Sequence, residues 1–454
     1  MSVCLDRRTL TPPQEETIRR YLCFQPKVKF IKTNARFAPP PSKDPIFFFR
    51  ATPTTVTVPY FFGSRLIGQP VNRHINYPPA PFQMKPTFKW VREDQGKVSE
   101  EALTQLQTYG TTTLGVYTGF GKTVIGAWLS HKLGLMTCVI FFRNFLATSW
   151  KNTFEEFTDA GVWVVGQPIP EKPVHVILCM HTQVHKLPEA YRALVGTLIV
   201  DEAHTFCAPE ISQRLLDFQP RYVIAETATL EREDGLHSMI HAMCGLHQIT
   251  RISQKPFDVI MYNTGIQPPV EKTDRGTNWQ ALQKFLAEHQ GRNEMILSWV
   301  QNNPQRKTLI MTDLVSHAQN LHKMCLEKGV NASYFAGAAK TYTDAPVLIG
   351  TLSKIGTGFD EKMVCPDFSG MRIDCLLLVT SIKSIPRLEQ GVGRAFRSDM
   401  PVVIHFVDDN PTILRHWKGC QKWYISRNGR ISAIHLQRKV TVVHSDGKTE
   451  EVAA

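Results

Sequence analysis

From about Val91 onward, short apolar runs alternate with longer amphipathic stretches, and this alternation constrains the fold more than any other feature of the sequence. The first series of strand candidates comprises Thr112–Tyr117, Met136–Phe142, Val174–Met180, Thr197–Val200 and Arg221–Ala225. After a polar stretch around 264–278 the alternation resumes, with strands predicted at Thr308–Met311, Val347–Gly350, Cys375–Val379 and Val402–Phe406, and a helix over Leu314–Lys328. Strands that alternate with helices form parallel sheets covered by helices, so the sequence predicts two α/β domains in series.

The first ~85 residues differ in composition from the rest of the chain and are rich in proline and aromatic residues. Short β-like runs occur at Ile46–Phe49 and Thr55–Phe62, and a proline-rich connector follows over Tyr77–Pro86. We therefore predict a small β-containing accessory domain over 1–85, a first α/β domain over 86–264, and a second over 265–454 that ends in a helix and a tail.

The net charge of +12 and the pI of about 9.2 indicate a polyanionic partner, of which nucleic acid is the commonest, although a basic protein without such a partner is the alternative. The ten cysteines form no C-x-x-C pair and no secretory signal is present, so we expect reduced thiols and an intracellular protein. No apolar run approaches the ~20 residues that span a bilayer, so no membrane is expected. His237, His241 and Cys244 share a helix face, but without a fourth ligand a half-buried face is favoured over zinc.

A phosphate-binding loop is predicted where the first strand runs into Thr118-Gly119-Phe120-Gly121-Lys122-Thr123. Gly119 and Gly121 allow the backbone N–H groups to face a phosphate at the start of a helix. Lys122 would reach the β- and γ-phosphates, and the Thr123 hydroxyl would bind Mg²⁺. The strict pattern is not met, because Val116 stands at the position of its first glycine.

A pair of carboxylates, Asp201 and Glu202, follows directly after the apolar run Thr197–Val200 and precedes Ala203-His204. The carboxyl end of a strand is where parallel sheets place catalytic side chains. Asp201 would hold Mg²⁺, and Glu202 would act as general base towards the attacking water. The alternative is a simple acidic helix cap, but the phosphate loop earlier in the same domain favours the catalytic interpretation.

At this point the sequence resembles the superfamily 2 helicases that contain a DEAH motif, and the resemblance covers about 88–430. Further motifs follow in the order typical of that family: Arg92–Gln95, Phe141–Trp150, Thr227–Gly235, Thr308–Asp313, Gly350–Ser353, Gly356–Asp360, Gln390–Arg397 and a terminal helix from Val407 to Tyr424. The Arg232-Glu233-Asp234 extension is similar to helicases of the promoter-opening, excision-repair type. The compact motif set looks most like helicases of large nucleo-cytoplasmic DNA viruses, such as the poxvirus transcript-release helicase, or phage branch-migration helicases.

The resemblance implies two tandem RecA-like domains that use ATP and Mg²⁺. It implies that Gln95 contacts adenine, that Gly358 and Asp360 bind nucleotide, and that Gln390, Arg394 and Arg397 act in catalysis from the second domain. His204, Thr227 and Thr229 would couple hydrolysis to movement. Our candidates for contacts with nucleic acid are Arg143, Thr182, Ser316 and Thr351, at each of which an ordinary surface residue is an equally good interpretation.

We therefore expect an ATP-dependent helicase or translocase that acts on single- or double-stranded DNA with 3′-to-5′ polarity in viral transcription, replication or repair. Alternatives are an RNA helicase, a duplex translocase or annealing motor that does not unwind, and a binding protein that retains the ATP fold as a scaffold. A monomer, with transcription or replication proteins as partners, is favoured. A viral protein of this kind would act in the host cytoplasm or viral factory, or be carried in the virion.

Overall fold

The computed structural model describes residues 1–27, 44–68, 75–228, 230–232, 234–269, 272–273, 276–355, 359–395, 397–435, 439–443 and 449–453. The chain divides into two compact units, Met1–Arg251 and Ile252–Ala454. In the first unit an N-terminal segment packs on the same hydrophobic core as the parallel sheet, so the two share one interior.

The N-terminal segment contains a three-stranded antiparallel sheet in the order β1-β5-β4, and a short hairpin of β2 and β3. Its elements are β1 (Ser2–Asp6), α1 (Pro12–Tyr21), β2 (Cys23–Phe24), β3 (Ile46–Phe47), β4 (Arg50–Ala51), β5 (Thr55–Pro59) and α2 (Tyr60–Ile67).

The rest of the first unit is a seven-stranded parallel sheet in the order β12-β6-β11-β10-β7-β9-β8. Its elements are α3 (Glu93–Tyr109), β6 (Thr111–Val116), α4 (Lys122–Leu133), β7 (Thr137–Phe141), α5 (Asn144–Phe157), β8 (Val162–Val164), β9 (Val176–Met180), α6 (Glu189–Leu194), β10 (Thr197–Asp201), α7 (Pro209–Leu215), β11 (Tyr222–Glu226), α8 (Ser238–Cys244) and β12 (Ile249–Arg251). Every residue of β7 and β10 is buried, as expected for strands covered by helices on both faces. Strand β11 lies between the phosphate-loop strand β6 and β10, and the three strands are parallel. The loop after β6 and the two carboxylates after β10 therefore lie at the same edge of the sheet, where the carboxyl ends of the strands meet.

The second unit contains a nine-stranded sheet in the order β17-β18-β16-β19-β20-β13-β21-β22-β23, whose first seven strands are parallel and whose last two are antiparallel additions. Its elements are β13 (Phe257–Asn263), β14 (Lys272–Thr273), β15 (Gly276–Thr277), α9 (Trp279–Glu288), α10 (Gln290–Asn302), β16 (Thr308–Thr312), α11 (Val315–Glu327), β17 (Ala332–Phe335), β18 (Val347–Thr351), α12 (Leu352–Ile355), α13 (Glu361–Val364), β19 (Cys375–Leu378), α14 (Ile385–Ala395), β20 (Val402–Val407), α15 (Pro411–Ser426), β21 (Gly429–His435), β22 (Lys439–Val443) and β23 (Thr449–Ala453).

The predicted fold class, two tandem α/β domains after a small β-containing segment, is confirmed. Two predicted details, both in the N-terminal segment, were wrong. The β-like run over Thr55–Phe62 is a strand only to Pro59, because Tyr60 begins helix α2, which ends at a left-handed Gly68. Pairing in the run Ile46–Phe49 stops at Phe47. The C-terminal tail contains strands β21, β22 and β23, which extend the second sheet.

The division between the two units falls after Arg251, whereas the sequence placed the boundary between 264 and 265. Strand β13 lies between these positions and pairs with β20 and β21, so its apolar residues Val259 and Phe257 belong to the core of the second unit. In the described part of the chain no helix is long and apolar enough to span a bilayer.

Candidate active site

The phosphate loop connects β6 to α4 through two glycines in the left-handed region, with φ of 83° at Gly119 and 104° at Gly121. The Phe120 N–H donates to the Tyr117 carbonyl at 3.1 Å, which closes the turn, and the N–H groups of Val124 and Ile125 donate back to Gly121. A Cβ at Gly121 would lie 2.5 Å from Gln95 Nε2. The loop therefore needs glycine at this position both for its backbone angle and for the approach of Gln95.

Arg92 and Gln95 brace this loop from the start of α3. Gln95 Nε2 donates to the Phe120 carbonyl at 2.7 Å, and its Oε1 accepts the Arg92 N–H at 3.1 Å. The Arg92 guanidinium donates to the carbonyls of Gly119 and Phe120 at 3.1 and 2.7 Å and to the Tyr117 hydroxyl at 2.9 Å. Gln95 was predicted to contact adenine, and in this structure both ends of its amide bind the protein. Arg92 was missed as a site residue, although it opens the R-x-x-Q pattern.

Asp201 closes strand β10 and is 6% exposed. The Trp150 indole N–H donates to Asp201 Oδ2 at 2.9 Å. Burial, followed by the charge of Glu202, raises the pKa of Asp201 to about 6, against the opposing effects of Trp150 and Lys122. A nearby cation would stabilise the ionised form of this carboxyl, because the protein provides little compensation for its charge.

Glu202 has a left-handed backbone, with φ and ψ both 52°, which is unusual for a residue other than glycine. Its carbonyl accepts hydrogen bonds from the Thr205 N–H and hydroxyl at 2.8 Å, which hold this turn in place. The carboxylate Oε2 lies 3.5 Å from His204 Nδ1 and is buried with no hydrogen-bond partner among the described residues. Such strained positions concentrate at functional sites.

Glu226 is a third carboxyl in this cluster, which the sequence analysis missed. It ends β11 directly beside Asp201 and is fully buried, and neither of its carboxyl oxygens has a hydrogen-bond partner in the described structure. Burial and then the charge of Asp201 raise the pKa of Glu226 well above its usual value, while Lys122 lowers it. The signal in the sequence was a charged residue at the end of an apolar run, next to the Thr227 motif.

His204 and Thr227 connect the carboxylate strand to the segment after β11. His204 Nδ1 and the Thr227 hydroxyl share a hydrogen bond of 2.8 Å, and the Thr227 N–H donates to the Leu114 carbonyl of the phosphate-loop strand at 3.0 Å. The Arg232 guanidinium donates to the His204 carbonyl and pairs with Asp234 at 2.7 Å. Thr229, the other predicted coupling residue, lies outside the described residues.

The donor set at this edge fits Mg²⁺. Oxygen ligands are those that this hard cation prefers, and Asp201, Glu202, Glu226 and Thr123 all supply them. Lys122, at the start of α4, is the cation whose charge acts on both Asp201 and Glu226. Because the buried oxygens of Glu202 and Glu226 have no partners among the described residues, a divalent cation with its water ligands would compensate an excess of negative charge.

In the second unit the predicted catalytic arginines are held by a neighbouring segment. Arg394, on α14, is 5% exposed and donates to the Phe359 carbonyl at 2.6 Å. Arg397 pairs with Asp360 at 2.7 Å, and Arg372 pairs with the same carboxylate at 3.0 Å. Burial raises the pKa of Asp360, but the charges of Arg397 and Arg372 outweigh it, so the pKa lies below its usual value. The structure thus brings Asp360 and the two predicted arginines together; Gln390 lies half-buried on α14, and Gly358 is outside the described residues.

The predicted nucleic-acid residues fall into different environments. Arg143 precedes α5 and Thr182 is exposed just after β9, and the adjacent Phe142 and His181 rings stack at 4.8 Å, so these two segments lie side by side. Ser316 is exposed in the first turn of α11. Thr351 is only 1% exposed, and its hydroxyl accepts from Ser353 at 3.3 Å.

A groove of about 490 Å³ lies beside Arg143 and Thr182, at the carboxyl ends of β7, β8 and β9. Helix α5 supplies Asn144, Thr148 and Lys151 to its wall, and Gln167 and Gln183 contribute from across it. The lining mixes polar and apolar side chains, and its basic side chain, Lys151, is offset by Glu155 at 3.7 Å, so its amides and hydroxyls rather than net charge are what it offers a ligand.

The proteins to which the chain is similar in sequence and fold include several helicases. The family model described as "Type III restriction enzyme, res subunit" matches residues 89–232. The chain is 28% identical over 380 residues to "Putative helicase 161L" of Invertebrate iridescent virus 6, covering 76% of this chain and 83% of the relative. It is 27% identical to "Putative helicase 055L" of Frog virus 3 over 81% of this chain and 84% of the relative. The fold is shared with S. cerevisiae Dbp5 bound to RNA and ADP BeF3, with a TM-score of 0.53 and 13% identity over 74% of this chain and 89% of that chain.

Proposed function

We propose, on the premise that the chain is an ATP-hydrolysing helicase of superfamily 2, that it moves in the 3′-to-5′ direction along DNA. The observation that carries the ATP-hydrolysing premise is the carboxyl end of the first sheet, where the phosphate loop and the carboxylates Asp201, Glu202 and Glu226 meet around Lys122. The proposed polarity rests on the resemblance of the motif set to superfamily 2 helicases. The DNA substrate is supported by the resemblance of the motif set to helicases of large DNA viruses and by the viral relatives.

Each residue at this edge has a distinct part in the proposed hydrolysis. The loop N–H groups and Lys122 would bind the phosphates, while Thr123 and Asp201 would hold Mg²⁺, which neutralises charge on the β- and γ-phosphates. Glu202 would accept a proton from the attacking water. As it does so, the water oxygen bonds to the γ-phosphorus, and the bond between the γ-phosphorus and the β-phosphate oxygen breaks. The left-handed turn at Glu202 supports this role, because it holds the backbone of the residue in a conformation that is unusual outside glycine.

Residues around the site would link hydrolysis to movement. We propose that the hydrogen bond between His204 and Thr227 transmits structural changes at the carboxylates to the segment after β11. In the second unit, Arg394 and Arg397 would neutralise phosphate charge, with Gln390 and Asp360 as further nucleotide contacts. An arginine in this role is worth roughly 10³–10⁵ in rate in related NTPases.

Nucleic acid would bind the first unit along the groove beside Arg143 and Thr182. Contacts with phosphates would dominate, because a motor must accept any sequence. We further propose that the protein acts inside the host cell during viral transcription, replication or repair, in keeping with the viral relatives.

The test is ATP hydrolysis by the wild type and by Lys122→Ala, measured without polymer and with single-stranded DNA, duplex DNA or single-stranded RNA. We expect DNA to stimulate the wild type and Lys122→Ala to remove the activity. Lys132→Ala is the matched control, because Lys132 is an exposed lysine near the end of the same helix and contacts the Trp128 ring.

The outcomes separate the alternatives. Equal stimulation by RNA would put an RNA helicase level with a DNA helicase; it is the second candidate because the DEAH motif occurs in both. Stimulation by duplex DNA without strand displacement would indicate a translocase or annealing motor. Displacement of strands only from substrates with a 5′ overhang would contradict the proposed polarity, and nucleotide binding without hydrolysis under all conditions would leave the scaffold interpretation.

A further inference from the structure

Trp150 contacts the carboxylate of Asp201 from helix α5. Its indole is fully buried, and its N–H donates to Asp201 Oδ2 at 2.9 Å. A tryptophan N–H is a donor only, so this bond requires the carboxylate oxygen as acceptor and fixes the orientation of the Asp201 side chain. Partners of this kind, which hold a metal ligand without touching the metal, commonly set metal affinity.

The indole is also wedged against the helix that carries the phosphate loop. A Cβ on Gly126 of α4 would lie 2.7 Å from Trp150 Cη2 and 2.8 Å from Glu226 Oε1, so glycine at this position permits the approach. The Trp150 ring also stacks with Phe154, with centroids 6.0 Å apart. Trp150 therefore has little freedom to move unless α5 moves with it.

The opposite face of α5 lines the groove. Asn144, Thr148 and Lys151 face the groove, whereas Leu146, Trp150 and Phe154 are buried. These two sets alternate with helical spacing, so a single rigid helix contacts the groove with one face and Asp201 with the other. Trp150 is about two helical turns from Arg143, roughly 10 Å along the axis.

We propose that Trp150 is a positioning residue that ties the Asp201 carboxylate to helix α5, so that nucleic acid seated in the α5 groove changes how Asp201 holds Mg²⁺. This inference rests on the proposed function, which assigns Mg²⁺ to Asp201 and nucleic acid to the groove. In this proposal the hydrogen bond between Trp150 and Asp201 links nucleic-acid binding to Mg²⁺ binding within the first unit.

The test compares the wild type with Trp150→Phe, which keeps an aromatic ring and removes the N–H. We expect the Mg²⁺ concentration for half-maximal ATP hydrolysis to rise about tenfold and the stimulation by oligo(dT) to be lost, because loss of such a partner commonly costs 10–100-fold in metal affinity or activity. The affinity for fluorescein-labelled oligo(dT), measured by anisotropy without Mg²⁺, should stay within about twofold of the wild type, since removing the N–H leaves the groove residues in place. Trp417→Phe is the matched control, since Trp417 is also buried but packs on His405 and Tyr424 in the second unit.

A second measurement needs no active enzyme. In protein labelled with ¹⁵N-indole tryptophan, the Trp150 N–H resonance, assigned by its absence in Trp150→Phe, should shift on addition of Mg²⁺ with ADP and again with oligo(dT). If Trp150→Phe does not fold, 3-benzothienylalanine at position 150 replaces the N–H with sulfur at nearly the same volume.

The results distinguish this inference from the proposed function. If the wild type hydrolyses ATP and Lys122→Ala does not, but Trp150→Phe keeps the wild-type Mg²⁺ dependence and stimulation, the positioning role is overturned while the motor stands. If the wild type hydrolyses no ATP with any polymer, the motor fails, and an indole resonance that does not respond to Mg²⁺ with ADP overturns the positioning role independently.

Discussion

The left-handed backbone of Glu202 illustrates how a single residue is committed to a site. A non-glycine residue in this region costs of order 1–3 kcal/mol and persists only where its surroundings enforce it. Here the Thr205 hydrogen bonds enforce the turn, and the carboxylate is left buried with one oxygen unpaired among the described residues. Placement of a reactive group, rather than stability, is the simplest physical reason for this arrangement.

This placement leads to a prediction for Glu202→Gln. The amide keeps the size of the side chain but cannot accept a proton, so kcat should fall by about 10²–10⁴ while the affinity for ATP is retained. Steady-state hydrolysis and nucleotide titration measure the two quantities. Glu210→Gln, an exposed change in the first turn of α7, is the control. A variant with the wild-type kcat would exclude Glu202 as the general base.

At the residue scale, the sequence pointed to the carboxylates and the phosphate loop because both follow apolar strands. Glu226 and Trp150 escaped notice for a physical reason. Each reaches the site through tertiary contact, Glu226 across the β10–β11 pairing and Trp150 from a helix elsewhere in the chain. Such approaches depend on which elements become neighbours, so neither the charged end of the run before Thr227 nor the position of Trp150 in the Phe141–Trp150 motif showed that these side chains meet Asp201.

At the scale of elements, helix α15 shows how a local signal defines a boundary in the second unit. The Asn410 side chain accepts hydrogen bonds from the N–H groups of Thr412 and Ile413 at 2.9 and 3.4 Å, and Pro411 occupies the first helical position. Asn410 is 1% exposed, so water cannot replace these bonds if the side chain is removed.

We therefore expect Asn410→Ala to reduce the free energy of unfolding of the second unit by about 1 kcal/mol, whereas Asn410→Ser should restore most of it. Urea unfolding of the full chain, followed by tryptophan fluorescence, is the measurement. Asn302→Ala provides the control, because Asn302 is exposed at the end of α10. Equal stability of Asn410→Ala and the wild type would show that the cap contributes nothing.

Element positions in the two parallel sheets were predictable because buried strands such as β10 and β16 are short and have an apolar centre bounded by polar residues. The segment Tyr60–Ile67 was not, because its aromatic run suits a strand by composition and becomes a helix after Pro59 through packing on β1 and β5. Strand β13 was hidden for a related reason. It lies before the polar stretch used as the boundary, and its partners β20 and β21 are more than a hundred residues away in sequence.

At the scale of the whole molecule, buried histidines make stability depend on pH. Burial, and then the charge of Arg292, lowers the pKa of His317 to about 3, and burial lowers the pKa of His405 to about 3. Both side chains are almost completely buried in the second unit. His317 shares hydrogen bonds with Thr312 and Asn293 at 2.8 and 2.9 Å, so the neutral ring is an integral part of the core.

An unfolded histidine has a pKa of about 6.5, so between pH 6.5 and pH 3 the unfolded chain binds protons that the native His317 and His405 do not. The stability associated with the neutral rings is therefore complete above pH 6.5 and is lost as the pH falls below that value. Well below pH 6.5 each ring should cost about 1.4 kcal/mol of unfolding free energy per pH unit. Glu226 in the first unit has a raised pKa, so its own contribution to stability has the opposite sign.

His317→Gln tests this account, because glutamine can still bond to Thr312 and Asn293 but does not titrate in this range. We expect the dependence of unfolding free energy on pH between 6 and 4 to become shallower by about 1.4 kcal/mol per pH unit, relative both to the wild type and to His322→Gln on the same helix. Denaturant titrations across this range provide the measurement. If His317→Gln keeps the wild-type slope, the native ring takes up its proton as readily as the unfolded one, and acid sensitivity of the second unit must come from groups other than His317.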